Sequence, residues 1–131
     1  MDKIPAPDAK LVEEFVGSAH GNLERVKELL AQKPALVNAT WDWGGGDFES
    51  ALGAAGHMGR KDIANYLMEH GARIDIFVAA MLGKLEIVKA ALLAYPEARQ
   101  IPGPHGIPLM AHAKAGGDES QIVVEFLESL E

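Results

Sequence analysis

The stretch Leu67-Met68-Glu69-His70-Gly71-Ala72-Arg73-Ile74-Asp75 decides how the rest of the chain is read. Leu67 closes an apolar stripe, Ile63-Tyr66-Leu67, on one face of a short helix. Gly71 supplies the stop that such a helix needs, and Asp75 can cap the helix that follows. The same layout recurs up and down the chain: a small apolar cluster, a turn glycine, then an apolar-periodic segment. The turn glycines are Gly21, Gly59, Gly83 and Gly116. The other stripes are Leu23-Val26-Leu29-Leu30, Leu85-Val88-Leu92 and Ile122-Val123-Phe126-Leu127-Leu130. Asp8 is placed to cap a first helix carrying Leu11, Val12, Phe15 and Val16, and Ser50 to cap the helix at Ala51. Asp118 and Gln121 have the spacing of a capping box. Each inner helix is too short to be stable alone, so the helices must stack. The fold class that follows is all-α.

On these residues the chain resembles the ankyrin-repeat family. Gly21-Asn22-Leu23-Glu24-Arg25-Val26-Lys27-Glu28-Leu29-Leu30 is similar to that family's second-helix signature. Residues 67 to 75 resemble its closing Leu-Leu-Glu-x-Gly-Ala-Asp-Val-Asn stretch, with Arg73 and Asp75 departing from it. Pro34-Ala35-Leu36-Val37-Asn38-Ala39 resembles a one-residue-longer form of that turn. Ser50-Ala51-Leu52-Gly53 and Ile107-Pro108-Leu109-Met110 stand where the family has Thr-Pro-Leu-His. The resemblance implies one domain over residues 1–131, a solenoid of four helix-turn-helix repeats at about 8–39, 40–74, 75–100 and 101–131. It further implies a concave groove lined by His20, His57 with Met58, Met81 with Leu82, and Lys114 with Ala115.

The period is irregular. The turn glycines are separated by 38, 24 and 33 residues, against a family period of about 33. The deficit falls between Asp75 and Ile76, where the third hairpin is missing. The excess falls in Thr40-Trp41-Asp42-Trp43-Gly44-Gly45-Gly46-Asp47-Phe48-Glu49. The expectation is that this enlarged finger leans over the vacancy, with Trp41 and Trp43 directed at residues 74 to 82.

Composition narrows the function. Nineteen acidic against 12 basic residues leave a net charge of −7, which argues against a phosphate-tracking nucleic-acid binder. With no cysteine there is no disulfide, thiolate catalysis or cysteine-bound zinc. No apolar run is long enough to span a bilayer. Met1-Asp2-Lys3-Ile4-Pro5-Ala6-Pro7 lacks a basic start followed by an apolar stretch, so a cytoplasmic protein without membrane contact is expected.

The finger carries aromatic side chains beside Asp42, Asp47 and Glu49. It is either a recognition element or a self-packed loop, and its carboxylates lack the regular alternation of an EF-hand loop. The five histidines (His20, His57, His70, His105, His112) show no metal-ligand spacing, so a zinc site would need several repeats to converge. His20 and His57 are taken as solvated groove residues, His105 as exposed at a hairpin tip stiffened by Pro102, Pro104 and Pro108, His112 as buried and satisfied, and His70 as lying at a solvated helix end. No serine stands in a nucleophile elbow. Glu125, Glu128 and Glu131, with Asp2, Lys3, Glu13 and Glu14, make the polar outer faces that terminal repeats require.

The resemblance implies a non-catalytic protein-binding module, without cofactor or metal, that acts as a monomer or weak homodimer. Its acidic charge suits a partner with basic patches. The expected contact residues are Trp41, Asp42, Trp43, Asp47, Phe48, His57, Met58, Met81 and His105. Two alternatives stand beside it. One is a small-ligand or metal-dependent site between the finger and residues 76–82, using His57 or His20 near a finger carboxylate. The other is a structural subunit of a larger assembly.

Overall fold

The computed structural model describes residues 3–131, so the polar role expected of Asp2 lies outside the described residues. The chain is mostly helical, with a two-stranded hairpin as its sheet among those residues. Four helix pairs follow one another: α1 (Ala9–Ser18) with α2 (Leu23–Gln32), α3 (Ala51–His57) with α4 (Lys61–Glu69), α5 (Ile76–Met81) with α6 (Leu85–Ala94), and α7 (Leu109–Ala115) with α8 (Gln121–Ser129). The first helices of the pairs form an inner row in which α1 touches α3, α3 touches α5, and α5 touches α7. No helix is long and apolar enough to cross a membrane among the described residues.

The apolar stripes face inward as their spacing requires. Val26, Leu29 and Leu30 are buried on α2, Ile63, Ala64 and Leu67 on α4, and Val88 and Leu92 on α6. On α8 the buried set is Val123, Val124 and Leu127, and the expected Ile122 and Leu130 stay 51% and 40% exposed. The capping expectations divide. Ser50 accepts from the Gly53 amide at 2.9 Å and Asp75 from the Val78 amide at 2.9 Å, so α5 starts directly after Asp75 without a hairpin. Asp8 holds the cap position of α1 but makes no side-chain bond. The capping box at Asp118 and Gln121 does not form. Gly117 takes a left-handed φ of 69°, residues Gly117–Ser120 wind as a 3-10 turn, and the Ser120 hydroxyl donates back to the Ala113 carbonyl.

Burial divides the interior in two. One core holds Phe15, Leu29, Leu36, Leu52, Ile63 and Leu67, joined by Val78 and Met81. The second holds Ala79, Ala80, Val88, Leu109, Val123 and Leu127. Helix α5, six residues long, contributes to both, and α3 touches α7 directly beside it. That position corrects the expectation for Met81, which is fully buried and offers no contact surface. Met81 lies at the end of α5 covered by α3 on one side and α7 on the other.

Candidate metal centre

The hairpin pairs β1 (Thr40–Asp42) with β2 (Phe48–Ser50), antiparallel, with Trp41 opposite Glu49 and Asp42 opposite Phe48. Because side chains alternate across a strand, Trp41 and Glu49 share the inner face while Asp42 and Phe48 look out. Trp41 is half-buried against the first core, Glu49 is 1% exposed, and Phe48 is 61% exposed. Gly44, Gly45 and Gly46 all have positive φ, which lets the loop fold over the Asp42 carboxylate. That carboxylate accepts from the Gly44 amide at 2.8 Å and the Gly46 amide at 3.0 Å.

Glu49 is where the structure converges. His20, in the turn after α1, brings Nε2 to 3.1 Å from Glu49 Oε1. His57, the last residue of α3, and His105, in the Pro104–Gly106 turn, bring Nε2 to 3.0 and 3.2 Å from Glu49 Oε2. One donor atom from each of the four residues lies within 4.8 Å of all the others.

Hydrogen bonds on the far side of the rings fix the protonation. His20 Nδ1 sits 3.1 Å from the Val16 carbonyl and 3.0 Å from that of Gly17. A carbonyl can only accept, so Nδ1 carries the proton and the neutral ring keeps its lone pair on Nε2. His105 Nδ1 donates to Asp47 Oδ2 at 2.7 Å, so whenever that ring is neutral its lone pair is also on Nε2. Trp43 Nε1 donates to Glu49 Oε1 at 2.9 Å. Glu49 Oε2 and His57 Nε2 are buried, and despite their 3.0 Å separation neither has a properly aligned hydrogen-bond partner. The Nε2 lone pairs of neutral His20 and His105 therefore face a carboxylate, an arrangement that repels unless a proton or a metal cation lies among them. Three imidazolium rings would supply positive charge, but the ring centroids are only 5.1 Å (His20–His57), 5.2 Å (His57–His105) and 6.2 Å (His20–His105) apart. Burial pulls the His57 pKa below the ordinary histidine value against the attraction of Glu49. At His105 burial opposes protonation too, but the Asp47 hydrogen bond and the Glu49 charge outweigh it and raise the pKa.

His105 carries a further mark. Its backbone has φ 61° and ψ 18°, the left-handed region, and no other described non-glycine residue has a positive φ. For a residue with a Cβ this conformation costs on the order of 1 kcal/mol and persists where surroundings impose it. Asp47 imposes it, accepting from the His105 amide at 2.7 Å as well as from Nδ1. That amide bond is the main reason the Asp47 carboxyl is held below its usual range.

Imidazole nitrogen with one carboxylate is a donor set for zinc, copper, nickel or iron. Tetrahedral zinc with bonds near 2.0–2.1 Å separates its ligands by roughly 3.3 Å, close to the nitrogen–oxygen spacings here. The ligands are braced as metal-bound histidines are, one by main-chain carbonyls and one by a carboxylate.

The structure gathers four of the nine expected contact residues, Trp43, Asp47, His57 and His105, at this centre. It places Phe48 and Met58 (51% exposed) on the surface, and gives Trp41 and Asp42 the hairpin itself. The orientation expected of Trp43 is corrected, while Trp41 packs against the core that includes Val78 and Met81. Trp43 turns toward α1, 3.9 Å from where a Cβ on Gly17 would sit, because Glu49 and the His20 ring hold it there. The link across the vacancy is made instead by Asp47 and His105. Beneath it lies a cleft of about 440 Å³ bordered by Asp47, Phe48, Asp75, Phe77, Pro102 and Pro104. His70 is exposed, as expected, and bonds to the Tyr66 carbonyl at 2.8 Å. His20 and Glu49, absent from the expected contact set, prove central. The signal available for them was the hairpin's alternation, which puts Glu49 inward, and the shared position of His20 and His57 just before a turn glycine.

No family model and no curated protein matches the chain.

Proposed function

We propose that the protein binds one divalent first-row transition metal, zinc foremost, through His20, Glu49, His57 and His105. The observation that carries this reading is the buried Glu49 carboxylate with three histidine Nε2 atoms 3.0–3.2 Å from it. Asp47 and Trp43 support the ligands from behind. The reading is non-catalytic: Glu49 is a ligand, Asp47 is committed to His105, and Asp42 to loop amides, so none of the hairpin's three carboxylates is free to act as a base. The scaffold is an ankyrin-like solenoid with its third hairpin missing. This is supported by the four helix pairs, the inner row, and Asn38, whose side chain bonds the Gly71 carbonyl and the Arg73 amide one period away.

Calorimetric titration of metal-free protein with Zn²⁺ is the test, followed by Co²⁺ substitution. A single site, with the absorption of a nitrogen- and oxygen-ligated Co²⁺ and quenching of Trp43 fluorescence, is expected. Absence of a stoichiometric site for any of Zn²⁺, Co²⁺, Ni²⁺ or Cu²⁺ would defeat the proposal.

A second reading, a protein-binding groove, is favoured by Phe48 and Met58, both more than half exposed. Affinity capture with wild type and with Phe48→Ala, Met58→Ala protein tests it. A partner retained equally by both would exclude that surface.

A further inference from the structure

We infer that the metal is a clasp joining the two halves of the molecule, and that its occupancy decides whether they behave as one cooperative body. The inference rests on the metal-binding reading and adds a role to it.

Three observations carry it. First, the interior is two apolar cores that share α5, with α3 touching α7 beside it, so the burial that joins the halves is limited to these short helices. Second, the four ligands come from both sides of that division. His20, Glu49 and His57 belong to the part built around the first core, and His105 to the turn that leads into α7 of the second. The second and fourth pairs already touch, α3 against α7 and Lys61 Nζ 3.4 Å from Glu119 Oε1, and the centre adds the first pair to that contact and closes it at the hairpin end. It becomes possible because the third pair has no hairpin to stand between them. Third, the polar contacts of the 40–50 hairpin with the 101–108 segment all converge on one residue. Asp47 accepts from the amide and the Nδ1 of His105, and Glu49 faces its Nε2. That residue is held in a left-handed conformation that the free segment would leave.

Without metal, Glu49 and the Nε2 lone pairs of neutral His20 and His105 oppose closure, and His105 has reason to swing away with its segment. With metal, the same atoms become the strongest contacts across the gap. Closing loops of about 30 and 50 residues between ligands also removes freedom from the opened state.

Hydrogen exchange followed by mass spectrometry on the full chain, with and without one equivalent of Zn²⁺, tests this beside calorimetry on the same samples. The expected result is at least tenfold slower exchange in residues 101–115 as well as in 40–58, and one thermal transition where the metal-free protein shows two. The His105→Ala variant should bind Zn²⁺ more weakly and lose the slowing in 101–115 while keeping part of it in 40–58. If Zn²⁺ binds stoichiometrically but slows exchange only in residues 16–58, the clasp is wrong and the metal reading stands. If Zn²⁺ does not bind, both fall.

Discussion

Two histidines in this molecule hide a ring nitrogen without a hydrogen-bond partner, and they mean different things. His57 Nε2 lies at the centre built on Glu49, with a buried carboxylate oxygen 3.0 Å away, itself unpartnered. His112, on α7, is 1% exposed; its Nδ1 donates to the Pro108 carbonyl at 3.0 Å and its ring packs 4.9 Å from that of Phe77. Its Nε2 is equally orphaned, but no carboxylate pairs with it. An orphaned buried polar atom costs about 1–3 kcal/mol wherever it sits. At His112 it is a local defect of the core. At His57 it is one of several donors that a single cation would satisfy together. Convergence, and not orphaning alone, distinguishes a ligand site from an imperfect core.

The comparison breaks if both sites respond alike to metal. Glu49→Gln removes the charged ligand and is expected to weaken Zn²⁺ binding by at least a thousandfold, about 4 kcal/mol. His112→Leu should leave the affinity unchanged within twofold. Titration of both variants, each checked by circular dichroism, decides it; equal losses would mean that the affinity reports fold integrity and not ligation. A subtler change sharpens the same contrast. Asp47→Asn keeps an acceptor for His105 but removes the charge that orients and enriches the ligand, and a loss of 10- to 100-fold in affinity is expected. An unchanged affinity would show that the left-handed His105 turn needs no ionic support.

These expectations also separate what was legible in the sequence from what was not. The helices and their buried stripes follow from local periodicity, and α2, α4 and α6 appear where Leu29, Leu67 and Val88 place them. Ser50 and Asp75 cap as their positions suggest, because a cap is settled within three residues. The Asp118 cap fails because the backbone bends first at Gly117, a choice made by the packing of Ser120 under Ala113. The centre is non-local. His20 and His105 are 85 positions apart in sequence, and no spacing rule joins them. The missing hairpin at residue 75 was readable as a gap, but not that Asp47 would reach across it. The exposed character expected of Met81 fails for the same reason, since its covering comes from neighbours on both sides of a six-residue helix.

The smallest effect concerns His112 and acid. Burial pulls its pKa below the ordinary histidine value, and the Pro108 carbonyl and the charges of Asp75 and Glu49 only partly oppose this. In the unfolded chain the ring titrates near 6.5. Below that pH the unfolded state binds a proton that the folded state refuses, so stability falls as pH drops from about 6.5 toward the lowered folded value, by at most about 1.4 kcal/mol per pH unit. Above that range His112 contributes no pH dependence. The effect is read as a difference between wild type and His112→Leu, both saturated with Zn²⁺, because the shifted His57 and His105 contribute to both alike. Denaturant unfolding at pH 7.5 should find the two within about 1 kcal/mol, since losing the Pro108 bond and relieving the orphaned nitrogen nearly cancel. At pH 5.5 the variant should be the more stable. If the two curves run parallel across that interval, His112 takes up its proton inside the fold, and the contrast between an inert orphan and a responsive one loses its second half.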